Sequence, residues 1–220
     1  MTYTVKEIYY TLQGEGANTG RPAVLLRFAG CNLWTGREED RASAVCKFCD
    51  TDILGADGPE GGKYEDATEV VDVVAQLWPG DEEKQPGYRE RTADRFVVCT
   101  GGEPSLQLDD ELVAALQRSG FTVALETNGT VPAPAGVDWI CVSPKAGTDL
   151  VQHEGDEMKL VYPQDGLDPQ QFVQLNFTHF FLQPLDDAHL QHNTALAMQY
   201  CMEHPTWRLS LQTHKMLGIP

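Results

Sequence analysis

No apolar run comes near the roughly 20 residues needed to cross a bilayer. The opening Met1-Thr2-Tyr3-Thr4-Val5-Lys6-Glu7 has no basic segment followed by an apolar stretch. Neither a membrane protein nor a secreted one is expected, and a cytoplasmic location is. Basic residues are scarce: 16 Lys and Arg stand against 33 Asp and Glu, a formal net charge of −17. That balance argues against a nucleic-acid backbone or an anionic membrane as the main partner, because both require positive potential. It leaves room for a small anionic ligand in a local basic pocket. There is no internal repeat. With 41% hydrophobic and 22% charged residues the chain is not a disordered polyampholyte.

What is present is enough for one core without staples. The 220 residues are expected to form a single domain, 1–220, with an insertion at about 30–62. In a reducing compartment thiols stay free, so six cysteines point to a metal site plus buried thiols rather than three disulfides.

Strand-like runs alternate with helix-like ones. Strands are expected at 23–28, 95–99, 121–125, 139–142, 158–162, 179–182 and 207–211. Apolar residues at helical spacing, such as Val70, Val71, Val74 and Leu77, predict helices over 67–78, about 109–119 and about 187–203. The alternation implies βα units and a parallel sheet. The fold class is α/β. The strand count suits an incomplete or open TIM-like barrel better than a complete one, which needs about 250 residues. Two segments break the rhythm. Residues 30–62 form a loop-like insertion with three cysteines, and 79–94 is polar and reads as a surface loop.

The sharpest chemical signal is Cys31, fourteen residues, Cys46, two residues, Cys49. Three thiolates can hold a soft metal. A structural Cys-x-x-Cys pair with a stray cysteine is one alternative. A zinc site is another, but it normally takes four protein ligands, and no fourth Cys or His lies nearby in sequence. Three ligands without a local fourth suggest an open coordination position. The second signal is Thr100-Gly101-Gly102-Glu103-Pro104 after the strand ending at Cys99. Two glycines there let a ligand approach the backbone, and the following carboxylate can accept bonds from an ammonium group. A plain βα turn is the alternative.

Together these signals resemble the radical S-adenosylmethionine superfamily, although its usual first cysteine gap is three residues. Tyr10-Thr11-Leu12-Gln13-Gly14-Glu15-Gly16, Arg27-Phe28-Ala29-Gly30-Cys31-Asn32-Leu33 and Phe48-Cys49-Asp50-Thr51 are similar to the 7-carboxy-7-deazaguanine synthase family. So are Glu126-Thr127-Asn128-Gly129, Val142-Ser143-Pro144-Lys145 and Gln212-Thr213-His214-Lys215, and some family members carry the same expanded loop. The resemblance runs from about residue 5 to the C-terminus, with 79–94 the part that does not map.

The resemblance implies a 4Fe-4S cluster on Cys31, Cys46 and Cys49, its fourth iron binding S-adenosylmethionine. It implies cofactor contacts at Phe48, Asp50, Gly102, Glu103, Ser143, Pro144, Lys145, Gln183 and Asp186, and a Mg²⁺ ligand at Thr51. Without it, Asp50-Thr51 could equally be a turn or cap. The implied substrate is 6-carboxy-5,6,7,8-tetrahydropterin, contracted by a radical lyase reaction to 7-carboxy-7-deazaguanine with loss of ammonia, in queuosine-type deazapurine biosynthesis. Arg27 would take the substrate carboxylate bidentately. Glu15 or Glu126 would accept N–H bonds from the pyrimidine edge. Leu12, Gln13, Gly14, Thr100 and the carboxylate of Pro220 would complete the contacts. An electron donor such as flavodoxin or ferredoxin and a homodimer are further expectations from the family, with no nucleic-acid or membrane partner.

Two rival functions remain at this point: a non-catalytic zinc-loop binding protein, and an activase that makes a glycyl radical on a partner. Cys99, Cys141 and Cys201 are expected to be buried thiols, and Trp78, Trp139 and Trp207 core or interface residues. Trp34 would shield the cluster loop. His214 is read as structural, and His153, His189, His192 and His204 as surface residues.

Overall fold

The computed structural model describes residues 2–79 and 95–220. The surface loop expected at 79–94 therefore lies outside the described residues, apart from Pro79. Among the described residues nine strands form one sheet: β1 (Tyr3–Leu12), β2 (Pro22–Phe28), β3 (Gly62–Tyr64), β4 (Arg95–Gly101), β5 (Phe121–Thr127), β6 (Trp139–Val142), β7 (Glu154–Tyr162), β8 (Asn176–Pro184) and β9 (Trp207–Leu209). Four helices accompany them: α1 (Ala67–Leu77), α2 (Asp110–Arg118), α3 (Leu190–Glu203) and α4 (Thr213–Leu217).

The order is β3-β1-β2-β4-β5-β6-β7-β8-β9, so β3 and β9 are edges and the sheet does not close on itself. From β2 through β4 to β9 every pairing is parallel, as the alternation of elements predicts. The departure is at the other edge. β1 and β3 were absent from the strands expected, and β1 pairs antiparallel with both β2 and β3. Its pattern is interrupted by adjacent Lys6 and Glu7, where a register shift sits. Lys6 is nonetheless buried, because Asp52, Asp57 and the Leu54 carbonyl of the cysteine-bearing segment surround its ammonium group. α4 was also not expected; five residues are too few to show a period.

Helices cover one face of the sheet. Val70, Val71 and Val74 of α1 and Leu112, Val113 and Leu116 of α2 pack on Ile8, Leu26, Val97 and Val123. Ala197 of α3 packs with Met158, Leu160, Leu182 and Trp207 in a second cluster. The caps are local. Asp66 accepts from the Thr68 and Glu69 amides at the start of α1, and Asp109 accepts from Leu112 N at the start of α2, worth about 1 kcal/mol each. Asp109 also accepts from the Tyr3 hydroxyl at 2.9 Å, tying α2 to β1.

Cys99 and Cys141 are buried, while Cys201 is only partly so. Trp78 and Trp207 are core residues. Trp139 is not: it is half-buried on the face without helices, stacked on His179 at 5.8 Å. His153, His189 and His192 are exposed as expected; His204 is half-buried against the Tyr200 ring. No described helix is long and apolar enough to cross a membrane.

Candidate active site

Side chains alternate between faces along a strand. Where Leu26, Cys99, Leu125, Met158, Leu160 and Leu182 enter the helix-covered core, their neighbours point the other way. Those neighbours are polar: Arg27, Thr100, Glu126, Lys159 and Gln183. Strand register aligns them, with Arg27 opposite Glu7 on β1 and opposite Thr100 on β4. Further along, Glu126 is opposite Cys141 and Cys141 is opposite Glu157. The upper part of this polar row lines a cavity of about 600 Å³, a size that suits a small-molecule ligand.

The cysteine segment forms one wall. Cys31, Cys46 and Cys49 all line the cavity, and all three thiols are free. The fourteen-residue gap does not separate them, because the Leu33 carbonyl accepts from both Val45 N (3.1 Å) and Cys46 N (3.3 Å), closing the excursion at its base. Within that excursion Trp34 is buried, and the Arg41 guanidinium lies 4.1 Å over its ring. Arg41 also donates to the carbonyls of Lys47 (3.0 Å) and Cys49 (3.1 Å). The Leu33 amide donates to Cys31 Sγ at 3.4 Å. Burial pushes the Cys31 and Cys46 thiols up; Cys49 adds repulsion to both, and Lys145 opposes the rise at Cys46. Lys145 itself is pushed down by burial, with the thiols of Cys46 and Cys49 opposing, and donates to Ser143 O (2.5 Å) and Oγ (2.7 Å). Among the described residues, no three His, Cys, Asp or Glu side chains gather closely enough to hold a single ion.

The Gly-Gly-Glu turn is a close backbone approach, though not of the kind first read. A Cβ on Gly102 would stand 2.0 Å from the Gly30 carbonyl oxygen, and Glu103 N donates to that same oxygen at 3.0 Å. The glycine is required because β4 runs hard against the chain entering the cysteine segment. The Glu103 side chain is fully buried and off the cavity wall; Oε1 accepts from Thr127 Oγ1 (2.7 Å) and Ser105 N (2.9 Å), and Oε2 from Asn128 N (2.7 Å). These bonds stitch the ends of β4 and β5 together. Asn128 continues the stitch, donating to Asn32 Oδ1 at 3.0 Å beside Cys31.

At the centre stands Lys159, buried on β7, which the sequence reading passed over. Its ammonium group reaches Glu15 Oε2 at 2.6 Å and Glu126 Oε1 at 3.3 Å. Glu15 Oε1 accepts from Gln183 and Gln212, both at 3.0 Å; Glu126 accepts from Gln13 (3.1 Å) on Oε1 and from Thr100 (3.3 Å) on Oε2. Burial works to raise the Glu15 pKa. The charge and hydrogen bond of Lys159, with the bond from Gln212, outweigh it and hold the carboxyl down to about 2. Burial likewise works against the Lys159 charge, and Glu126, Glu15, Cys141 and Glu157 together push it well up. The signal was available: one lysine inside the apolar run Met158 to Tyr162.

Arg27 is mostly buried, its Nε donating to Glu7 Oε1 at 2.8 Å and its Nη2 to the Tyr9 hydroxyl at 3.2 Å. Burial disfavours its charge, but Tyr9 and Glu7 more than compensate. The C-terminal segment closes the opposite side. Lys215 bridges Asp50 and Asp186, both at 2.5 Å, joining the cysteine segment to the end of β8 through α4. The Pro220 carbonyl oxygen accepts from Thr11 Oγ1 at 2.8 Å. His214, read as structural, lines the cavity and lies against Gly14.

Leu12, Gln13, Gly14, Glu15, Arg27, Phe48, Asp50, Thr51, Thr100, Gly102, Glu126, Ser143, Lys145, Gln183, Asp186 and Pro220 join the three cysteines around this one cavity. Of the residues singled out from sequence, Glu103 and Pro144 are the two that do not line it. Lys159, His214, Gln212 and Lys215 are additions.

Comparison with known proteins bears on the whole chain. It is 58% identical over 220 residues to the 7-carboxy-7-deazaguanine synthase of Burkholderia multivorans, all of both chains being covered. The corresponding proteins of Caulobacter vibrioides and Bordetella pertussis are 56% and 57% identical, again over the full length of each. Among solved structures, QueE from Escherichia coli superposes with a TM-score of 0.69 at 26% identity, covering 96% of this chain and 94% of that one. No family model matches.

Proposed function

The chain belongs to the 7-carboxy-7-deazaguanine synthase family, and from that premise we propose that it converts 6-carboxy-5,6,7,8-tetrahydropterin to 7-carboxy-7-deazaguanine with loss of ammonia, as a radical S-adenosylmethionine lyase of queuosine-type deazapurine biosynthesis. The observation that carries this reading is the convergence, in one cavity, of three free cysteines with Arg27 and the Glu15–Lys159–Glu126 cluster.

The donor set fits a 4Fe-4S cluster better than a lone ion. A cube of four irons takes its thiolates at separate corners, and three free thiols on one wall with no fourth protein ligand near them in sequence suit that arrangement. Cys31, Cys46 and Cys49 would hold it. The cluster with S-adenosylmethionine would supply the one-electron chemistry that removes a hydrogen atom from the substrate. Beside the cysteines, Phe48, Asp50, Gly102, Ser143, Lys145, Gln183 and Asp186 line the stretch of wall available to S-adenosylmethionine. Glu103 would serve by holding that wall in place. Thr51 offers a hard oxygen to Mg²⁺, which would need substrate or water to complete its shell.

The remaining residues bind and orient. Arg27 keeps part of its guanidinium edge for a carboxylate, since Glu7 and Tyr9 engage Nε and Nη2. Glu15 and Glu126 accept from the pyrimidine edge; Leu12, Gln13, Gly14, Thr100 and Pro220 pack around it. The Lys145 ammonium, directed at Ser143 and close to the thiols, keeps positive charge near the thiolates. We read the open sheet as an incomplete TIM-like barrel and the chain as one radical S-adenosylmethionine domain. A cytoplasmic homodimer reduced by a flavodoxin or ferredoxin completes the proposal.

The test is anaerobic incubation of the iron-reconstituted chain with the carboxytetrahydropterin, S-adenosylmethionine, Mg²⁺ and a low-potential reductant. Product at the mass of 7-carboxy-7-deazaguanine supports the reading. A protein that takes up one zinc and no iron, with no product, sinks it.

A further inference from the structure

The hydrogen bonds around Lys159 can be counted. An ionised carboxylate presents about four lone-pair positions. Gln183 and Gln212 fill Glu15 Oε1, and Lys159 takes one position on Oε2. Gln13 and Lys159 fill Glu126 Oε1, and Thr100 takes one position on Oε2. Among the described residues, one acceptor position is left on each carboxylate, both on the cavity wall.

Two part-buried carboxylates this close together would ordinarily compete for a proton, because like charges at close quarters disfavour each other's ionisation. A shared proton would turn one acceptor into a donor and change what the pair recognises. Here a buried ammonium group stands between them. We propose that Lys159 is a positioning residue that holds the Glu15 and Glu126 side chains together as a pair of acceptors, so that the site selects a neutral ligand edge bearing two N–H donors. This deepens the reading above, since the amino-pyrimidine edge of a pterin is such an edge, and it rests on that reading for the ligand's identity.

The other groups facing the pair are accounted for. Cys141 on β6 and Glu157 on β7 lie behind it, the Cys141 thiol donating to Glu157 Oε1 at 3.5 Å and the Ala17 amide to Glu157 Oε2 at 3.0 Å. Burial pushes Glu157 up and the Cys141 thiol well up, so neither adds the positive charge that Lys159 supplies. His214 faces Glu15 from α4, and its positive charge when protonated would act in the same sense as Lys159.

The experiment is calorimetric titration of the reconstituted full-length chain with 6-carboxypterin, between about pH 5 and 8. With native Lys159, affinity should be flat on the acid side. Lys159→Met should bind at least about tenfold more weakly near neutrality and lose further affinity as pH falls. Lys159→Arg should restore the flat profile. A Met variant that binds within about threefold of the native chain with the same profile overturns the proposal. Should that variant fail to fold, infrared difference spectra of the native chain, carbon-13 labelled at glutamate and referenced to Glu15→Gln, decide instead. The Glu15 carboxylate band should persist to about pH 4; a band protonating between about pH 5 and 7 overturns the proposal. If the native chain does not bind 6-carboxypterin at all, the assigned substrate falls, while the infrared titration still judges Lys159.

Discussion

The His214 ring rests where a Gly14 side chain would be: a Cβ built on Gly14 would stand 2.1 Å from His214 Nδ1. Thr213 reinforces the seam, its amide and hydroxyl both donating to the Gly14 carbonyl, at 3.0 and 2.9 Å. Gly14→Ala should therefore displace α4 from the cavity rim. We expect a loss of about 1–3 kcal/mol in unfolding free energy together with weaker pterin binding. Denaturant unfolding and calorimetry on the same preparation check both, and unchanged values in the two would refute the seam.

Arg27→Ala should cut pterin turnover by about a hundredfold or more while leaving iron content per chain unchanged. It also leaves Glu7 partly buried without its partner, so some stability goes with it. Arg27→Lys restores the charge but not the planar fork, and should recover folding better than turnover. Iron assay, thermal melt and product yield separate the three effects.

Arg41 acts on the cysteine wall from a distance. Its contact with Trp34 is worth about 0.5–1 kcal/mol, and its bonds to the Lys47 and Cys49 carbonyls fix the backbone between Cys46 and Cys49. Arg41→Ala should speed iron release to a chelator several-fold, with turnover per intact cluster little changed. Equal release rates in the two proteins would count against this role.

Lys215→Met removes the bridge between Asp50 and Asp186. The residues are part-exposed, so the stability change should stay within about 1 kcal/mol. The larger effect should fall on S-adenosylmethionine affinity, because both aspartates line the cavity. Equilibrium dialysis of the cofactor measures it.

Acid should act on the Glu15–Lys159 pair late. The Glu15 carboxyl is depressed in the fold, so its stabilisation is present above its ordinary value of 4.5 and is lost as pH falls toward about 2. Lys159 is raised, so its share is intact below the ordinary lysine value and fades only in strong alkali. The pair's contribution should thus be constant from about pH 5 to 10. It should decline below about pH 4.5, by about 3 kcal/mol once Glu15 is protonated. Chemical denaturation of the native chain and of Lys159→Met across that range provides the comparison.

The parallel part of the sheet was legible because its strands carry short apolar runs that enter the helix-covered core. β1 escaped because a charged pair interrupts it and its lysine is neutralised only by Asp52 and Asp57, far along the chain. The cavity residues were found mainly as motifs at strand ends. Lys159 was missed because its motif is a single charge in an apolar strand, whose partners lie 144 and 33 residues away. The surroundings of Glu103 were hidden for the same kind of reason: the groups that claim its carboxylate include Thr127 at the end of β5 and Asn128 just beyond it, not just its neighbour Ser105.

The bridge from the Leu33 carbonyl to Val45 and Cys46 makes distance along the chain a poor ruler for this site. Apart from Arg41, which reaches across to the Lys47 and Cys49 carbonyls, the stretch between the bridge's two feet is a detour whose length does not set the place of the sulfurs it separates. A fixed-interval pattern would discard such a chain, whereas one anchored on the detour's two ends would keep it. The same property makes residues 42–44, beyond Arg41, a natural place to graft a reporter peptide.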